Sequence, residues 1–231
     1  MKFVSFVTAP EGHNQREFVE WFINEHVPAI LEGAATLRGG VTRRRIEPPA
    51  HIQLPMSPVT RDEIMPCDIL MELWFSSCED FRREIIPIER RLRAERASFI
   101  SYRVTPRLQK DPRIVEAGAT GSRPEITFIG SLKWLPGISP AFAADEWDEH
   151  TAIALRVQPT MTKYEQNLVR EVISRSPGMP PIDAYADFSF NKVADFVSSF
   201  AYTEEEAQDV STFRHRTLVT FFEDAEPMRL K

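Results

Sequence analysis

Two histidines, His26 and His150, are the residues of this sequence best suited to chemistry, and they stand in matching surroundings. His26 ends the stretch FVEWFINEH and His150 ends FAADEWDEH, at an offset of 124 residues that also aligns Phe18 with Phe142 and Leu31 with Leu155. An imidazole titrates near neutrality, so one facing a cavity can take a proton from carbon beside a carbonyl and return it to oxygen. Isomerisation, aldol cyclisation and dehydration share that step. His26 falls on the helical face of Phe18, Phe22 and Ile30, which turns it inward. The competing reading is a core histidine that holds helix to sheet through a hydrogen bond, and its repetition in both halves fits either role. Pro28, two residues beyond His26, bends the helix and frees a carbonyl, whereas Thr151 and Ala152 keep the second helix regular.

Other side chains are candidates to surround a ligand. Trp21, Phe22, Trp74 and Trp147 can line a pocket for a flat, apolar substrate, although large aromatics at such spacing are more often plain core. Tyr185 and, more weakly, Tyr164 can donate a hydrogen bond to a substrate oxygen. His215 alternates with Phe213, Thr217 and Val219, so it faces the side of an apolar row and ranks below His26 and His150. Glu72 and Asp187 read either as functional carboxylates with raised pKa or as partners of Arg43 or Arg45 across a sheet, and pairing is the favoured reading.

A metal site is not indicated: no pair among the five histidines has a spacing such as H-E-x-x-H. Cys67 and Cys78 lack Cys or His neighbours at ligand spacing and read as ordinary thiols. No glycine-rich phosphate loop occurs, and no cofactor is expected.

The elements that position these residues follow from periodicity. A second block repeats at an offset of 115, with Asp68 to Phe81 matching Asp183 to Phe196, so the first half carries nine more residues between its two blocks. Most of that insertion falls in the proline-rich stretch Glu47 to Pro66. Alternation predicts first strands at Phe3 to Val7 and Ile126 to Trp134. Helices follow, one starting from the capping pattern of Asn14 with Glu17, the other from Ser139 and Pro140. Strands are next expected at Leu37 to Ile46 and Met161 to Ile173, then at Asp68 to Phe75 and Asp183 to Phe190. Helices over Glu79 to Arg96 and Lys192 to Asp209 lead into last strands at Phe99 to Pro106 and Phe213 to Glu223.

Each half thus reads β-α-β-β-α-β, the ferredoxin-like order. The expected fold is α+β: two tandem ferredoxin-like domains, 1-110 and 125-231, joined by a linker at 111-124 and packed sheet to sheet as a pseudo-dimeric barrel. On the third strand, Ile69, Met71, Leu73 and Phe75 form the helix-facing side. The opposite side mixes Leu70, Glu72 and Trp74 with Tyr185 and Asp187 and gives the barrel a partly polar interior.

Composition narrows the partners. The chain has 231 residues, 42% hydrophobic and 27% charged, which suits a packed globular protein. With 28 Lys+Arg against 34 Asp+Glu the net charge is -6, which repels a phosphate backbone, so nucleic acid is not an expected partner. No apolar run reaches the length of a membrane span, and the N-terminus lacks the pattern of a leader, so a cytoplasmic protein with no membrane partner is expected.

The stretch Glu25-His26-Val27-Pro28, followed by Asp68 and Glu72-Leu73-Trp74-Phe75, resembles the EthD-like family of the dimeric α+β barrel superfamily, once per half, with the first half the better match. The resemblance implies a cofactor-independent lyase, isomerase or cyclase acting on a hydrophobic aromatic or polyketide-like carbonyl compound, with His26 as the base and His150 as its counterpart. Two other roles within the superfamily stay open, a cofactor-free or haem-dependent monooxygenase and a non-catalytic binding module. A homodimer on top of the internal pairing is also compatible with it.

Overall fold

The computed structural model describes residues 1–49, 67–94, 97–110, 124–199, 208, 209 and 211–225, and the side chains of 91–94, 199, 215 and 216 lie outside the description. Residues 50–66 of the expected insertion, the linker 111–123 and residues 200–207 of the expected last helix likewise lie outside it.

The first half runs β1 (Lys2–Thr8), α1 (Gln15–Trp21), a π-helical turn (Phe22–His26), α2 (Val27–Gly33), β2 (Gly39–Ile46), β3 (Ile69–Trp74), α3 (Cys78–Ala94) and β4 (Ser98–Lys110). The second runs β5 (Ile126–Trp134), α4 (Pro140–Val157), β6 (Lys163–Arg175), β7 (Ala184–Phe190), α5 (Val193–Ser199) and β8 (Arg214–Asp224). Helix starts follow the caps read from sequence. Asn14 accepts from the backbone N–H groups of Arg16 and Glu17, and Ser139 accepts from Phe142 N–H ahead of Pro140.

All strand pairs are antiparallel, and the eight strands close into a barrel in the order β1-β3-β2-β8-β5-β7-β6-β4. Within the halves the order is β4-β1-β3-β2 and β8-β5-β7-β6. The halves therefore meet by edge pairing as well as face to face: β2 runs beside β8, with Arg43 opposite Asp224, and β4 runs beside β6 along most of its length. β4 continues to Lys110, beyond the expected end at Pro106, because Arg107, Leu108 and Lys110 find partners on β6. Closure removes the exposed strand edges that a separate four-stranded sheet would present.

Strand alternation then sorts side chains into three compartments. Phe3, Val7, Ile69, Met71 and Leu73 pack outward against Phe18, Phe22, Ile30, Phe81 and Ile85 in the first helix layer. Phe128, Leu132, Phe188 and Phe221 pack against Ala143, Trp147 and Phe196 in the second. Val4, Phe6, Leu70, Tyr102, Ile129, Tyr185 and Phe222 fill part of the barrel interior.

Candidate functional site

In the first helix layer the chain passes through a π turn at Phe22–His26, where Val27 N–H bonds to Phe22 O, five residues back. Pro28 has no N–H to continue the usual ladder, and the extra residue in the turn absorbs the defect. The turn delivers His26 into the layer at 4% exposure, its ring 4.6 Å from that of Phe22 and 6.0 Å from that of Trp21. Trp21 is half-buried, and with Pro10, His13, Asn14, Glu17 and Phe18 it lines a surface cavity of about 210 Å³. One aromatic ring thus forms both a cavity wall and a contact of the buried imidazole.

The same layer holds a polar group that sequence reasoning missed. Glu89, 1% exposed on the inner face of α3, accepts a hydrogen bond from Ser5 Oγ at 3.0 Å and another from Ser101 Oγ, while the two serine oxygens are 2.8 Å apart. A signal was available: Glu89 lies four residues after Ile85 and eight after Phe81, on the buried stripe of its helix.

In the second layer His150 Nδ1 lies 2.7 Å from Asp209 Oδ2. The imidazole is 5% exposed, and burial pushes its pKa below the ordinary value although Asp209 pulls it back up. Its ring stands 6.0 Å from Phe213, and Trp147 on the same helix packs edge-on to Trp134 at 5.7 Å. A neutral imidazole with one nitrogen tied to a carboxylate has a fixed orientation, the arrangement of an aligned general base.

The expected binding residues do not all gather around these histidines. Trp21 and Phe22 stand with His26, and Trp147 lies one helical turn before His150. Trp74 and Tyr185 instead face the barrel interior, each with its ring 5.6 Å from Lys2 Nζ, because their strand positions have the opposite parity from the layer-facing residues. The backbone of His215 belongs to β8, and its side chain lies outside the described residues.

Around Tyr185 the interior carries a network of charges from both halves. Arg43 reaches Glu72 at 3.0 Å, Asp187 at 3.3 Å and Asp224 at 2.9 Å. Lys2 reaches Glu72 at 2.6 Å and Asn167 at 2.9 Å and also pairs with Glu165, while Lys163 reaches Asp187 at 2.6 Å. Glu72 and Asp187 do pair with Arg43, whereas Arg45 turns to Asp68 at 3.6 Å. Burial alone would raise both carboxyls, but Lys2, Arg43 and Lys163 override it, so Glu72 sits well below the usual carboxylate range and Asp187 is lowered too. Carboxylate oxygens of Glu72, Glu165 and Asp187 lie within 4.8 Å of one another, a spacing that suits a cation, and Lys2 and Lys163 already supply that charge. Burial also pushes the Cys67 thiol up, consistent with an inert structural cysteine. Among the described residues, no helix is long and apolar enough to cross a membrane.

Neither a protein-family model nor a curated protein matches this chain. Solved structures do. An anthrone oxidase-like protein aligns over 98% of this chain and 91% of its own, at TM-score 0.64 and 9% identity. A candidate monooxygenase from Lactobacillus acidophilus aligns over 98% and 94%, at TM-score 0.51 and 6% identity. A chlorite dismutase variant from Candidatus Nitrospira defluvii aligns over 96% and 90%, at TM-score 0.50 and 13% identity. Such low identities speak for fold alone. The chain has a mixed α/β fold, built on a closed eight-stranded antiparallel barrel, that it shares with these solved structures.

Proposed function

We propose that this protein is a cofactor-independent lyase, isomerase or cyclase that moves a proton on a hydrophobic aromatic or polyketide-like carbonyl compound. The observation that carries the reading is the Trp21 ring, which helps to wall the cavity of about 210 Å³ and lies 6.0 Å from the His26 ring. A ligand seated against Trp21 touches a ring that neighbours the buried imidazole, and rotation of the half-buried indole would expose His26 to it. His26 then takes the proton from carbon beside the carbonyl, and the apolar layer of Phe18 and Phe22 keeps water from competing. His150 with Asp209 is the corresponding base of the second half.

The domain reading is part of the proposal: residues 1–110 and 125–231 are two EthD-like, ferredoxin-like units, supported by the same strand order in each half. The partner is a small apolar molecule rather than nucleic acid or a membrane, in keeping with the net charge of -6. A homodimer would add a second level of assembly.

A second reading, a cofactor-free or haem-dependent monooxygenase, draws support from the anthrone oxidase-like and candidate monooxygenase structures. An imidazole that ligates a metal gives its other ring nitrogen to a carboxylate, as His150 does to Asp209. His150, oriented by Asp209, would hold a haem, and the haem would supply one-electron chemistry and activation of dioxygen.

The experiment is α-proton exchange in D2O, followed by proton NMR, on anthrone and a panel of aromatic ketones. Wild type exchanges protons, His26→Ala does not, and both keep their fold. If neither His26→Ala nor His150→Ala alters exchange, the enzyme reading is lost and a binding module takes its place. A visible absorbance band in the purified protein selects the haem reading.

A further inference from the structure

A second surface cavity lies on the other side of α1. Asn14, Glu17, Phe18 and Trp21 line the first one, whereas Gln15, Arg16 and Val19 line the second, and helical periodicity puts the two sets on opposite faces. The end of β2 supplies the remaining wall through Arg44, Arg45 and Ile46, and the volume is about 280 Å³. Val19 is buried and Ile46 half-buried, so three guanidinium groups share the cavity with an apolar surface.

Asp68 joins the two walls. Its carboxylate accepts from Gln15 Nε2 and from Ala9 N–H, each at 2.7 Å, and its backbone carbonyl accepts from Arg45 N–H at 2.8 Å. The Arg45 guanidinium stands 3.6 Å from the same carboxylate, which is longer than a hydrogen bond. Among the described residues, Arg44 donates from Nε to Glu223 at 2.6 Å, and Arg16 reaches Glu20 at 3.7 Å. A guanidinium carries five N–H donors in a planar fork, so these partners take up only a small part of the donor capacity around the cavity.

The barrel itself does not call for these arginines. β2 runs beside β3 with Arg44 opposite Ile69, and β6 runs beside β7 with Leu168 opposite Ala184. Asp68 O accepts from Arg45 N–H just as Asp183 O accepts from Val169 N–H. Ile69 and Ala184, like Asp68 and Asp183, are partners at the offset of 115, so Leu168 and Val169 take the places of Arg44 and Arg45 in the second half. At the offset of 124, Pro140 takes the place of Arg16. The fold accepts uncharged residues at all three positions, and the convergence of the arginines belongs to this cavity rather than to the architecture.

We propose that this cavity is a second small-molecule site, which binds a small monocarboxylate with an apolar body. The carboxylate takes hydrogen bonds from the arginines, Arg45 first because Asp68 holds it in place, and the apolar body covers Val19 and Ile46. Glu20 and Glu47, both exposed, line the cavity too and repel a second negative charge, which limits the ligand to one carboxylate. The site stands apart from the proton-transfer reading and does not depend on it.

Ligand-observed NMR titration of the full chain at pH 7 tests the site with cinnamate, its neutral isostere cinnamamide and the dianion carboxycinnamate. Cinnamate is expected to bind about tenfold more tightly than cinnamamide, the share of one charge-assisted hydrogen bond. Arg45→Gln should remove that difference by weakening cinnamate alone. Arg16→Glu, at an exposed position, should weaken cinnamate in the same direction and decides the matter if Arg45→Gln does not fold. No saturable binding of cinnamate, equal affinities for cinnamate and cinnamamide, or full cinnamate binding in a folded Arg45→Gln each overturns the site. Loss of cinnamate in Trp21→Ala with retention in Arg45→Gln places the ligand in the first cavity and overturns it too. Tighter binding of carboxycinnamate than of cinnamate overturns the limit to one charge.

Discussion

The Tyr185 hydroxyl donates a 2.7 Å hydrogen bond to Glu72 Oε1 inside the barrel, joining positions 113 residues apart, one from each half of the chain. Burial and the neighbouring Glu72 charge push the tyrosine pKa well above its ordinary value, so the phenol keeps its proton and acts as a fixed donor. Tyr185 is therefore part of the contact between halves.

Glu72→Gln should be strongly destabilising. It leaves Lys2 and Arg43, both almost wholly buried, without a shared counter-charge, and breaking a buried pair on one side costs about 3–5 kcal/mol. Tyr185→Phe removes one hydrogen bond to a charged group and costs about 1–3 kcal/mol. Urea unfolding at pH 7 checks both values, and a Glu72→Gln midpoint equal to wild type would show that the network does not hold the halves together.

Stability should fall on both sides of a broad plateau in pH. Glu72 and Asp187 have lower pKa values in the folded chain than their ordinary 4.5 and 3.8. Their contribution is complete above those values and disappears as pH falls through the folded ones. Lys163 is raised above its ordinary 10.5 by Asp187 and Glu72 against the effect of burial, so its contribution is complete below that value and is lost as pH rises through the folded one. Thermal melts from pH 2 to 11 trace both limbs, and Glu72→Gln should flatten the acid one.

His150 should titrate below 6.5 in the folded protein, because burial disfavours the imidazolium more than Asp209 favours it. The neutral form stabilises the fold above 6.5, and that contribution is lost as pH falls through the lower folded value. Asp209→Asn removes the opposing charge and should move the titration lower still. The ring-proton NMR signal of His150 followed against pH gives the direction, and an upward shift in Asp209→Asn would contradict the assigned causes.

Pro28→Ala supplies the missing N–H and should let the π turn relax toward a regular helix, which rotates His26 relative to the layer. The expected outcome is unchanged or slightly higher Tm with at least tenfold slower α-proton exchange, because a displaced base loses its alignment. Equal exchange rates for the two proteins would remove the turn from the site.

Trp21→Ala should open the cavity of about 210 Å³ onto His26. Loss of a half-buried indole costs about 2 kcal/mol, less than the 3–5 of a fully buried one. Anthrone binding, read through quenching of tryptophan fluorescence, should weaken in Trp21→Ala and lose most of its quenching. Unchanged quenching would place the ligand elsewhere.

Much of the architecture could be read before any coordinates. Strand positions followed from a period of two, and the inward face of the first helix from Phe18, Phe22, His26 and Ile30. These are local properties, fixed by which side chains a helix or strand turns toward the same side. The split of Leu70, Glu72 and Trp74 from Ile69, Met71 and Leu73 likewise needed only alternation.

Partners across the molecule were not legible in the same way. Arg43 finds Asp224, 181 residues away, only because β2 pairs with β8, and the pairing of barrel edges depends on closing all eight strands at once. Glu89 lies on the buried stripe of its helix, and only the pairing of β1 with β4 brings Ser5 and Ser101 together beside it. His150 gained Asp209 from a segment whose sequence gives no sign of where it folds back. Residue type and period determined what each side chain could do and which way it faced. Barrel closure alone decided which distant groups share a compartment, because no pattern within a single strand or helix encodes the register between elements a hundred residues apart.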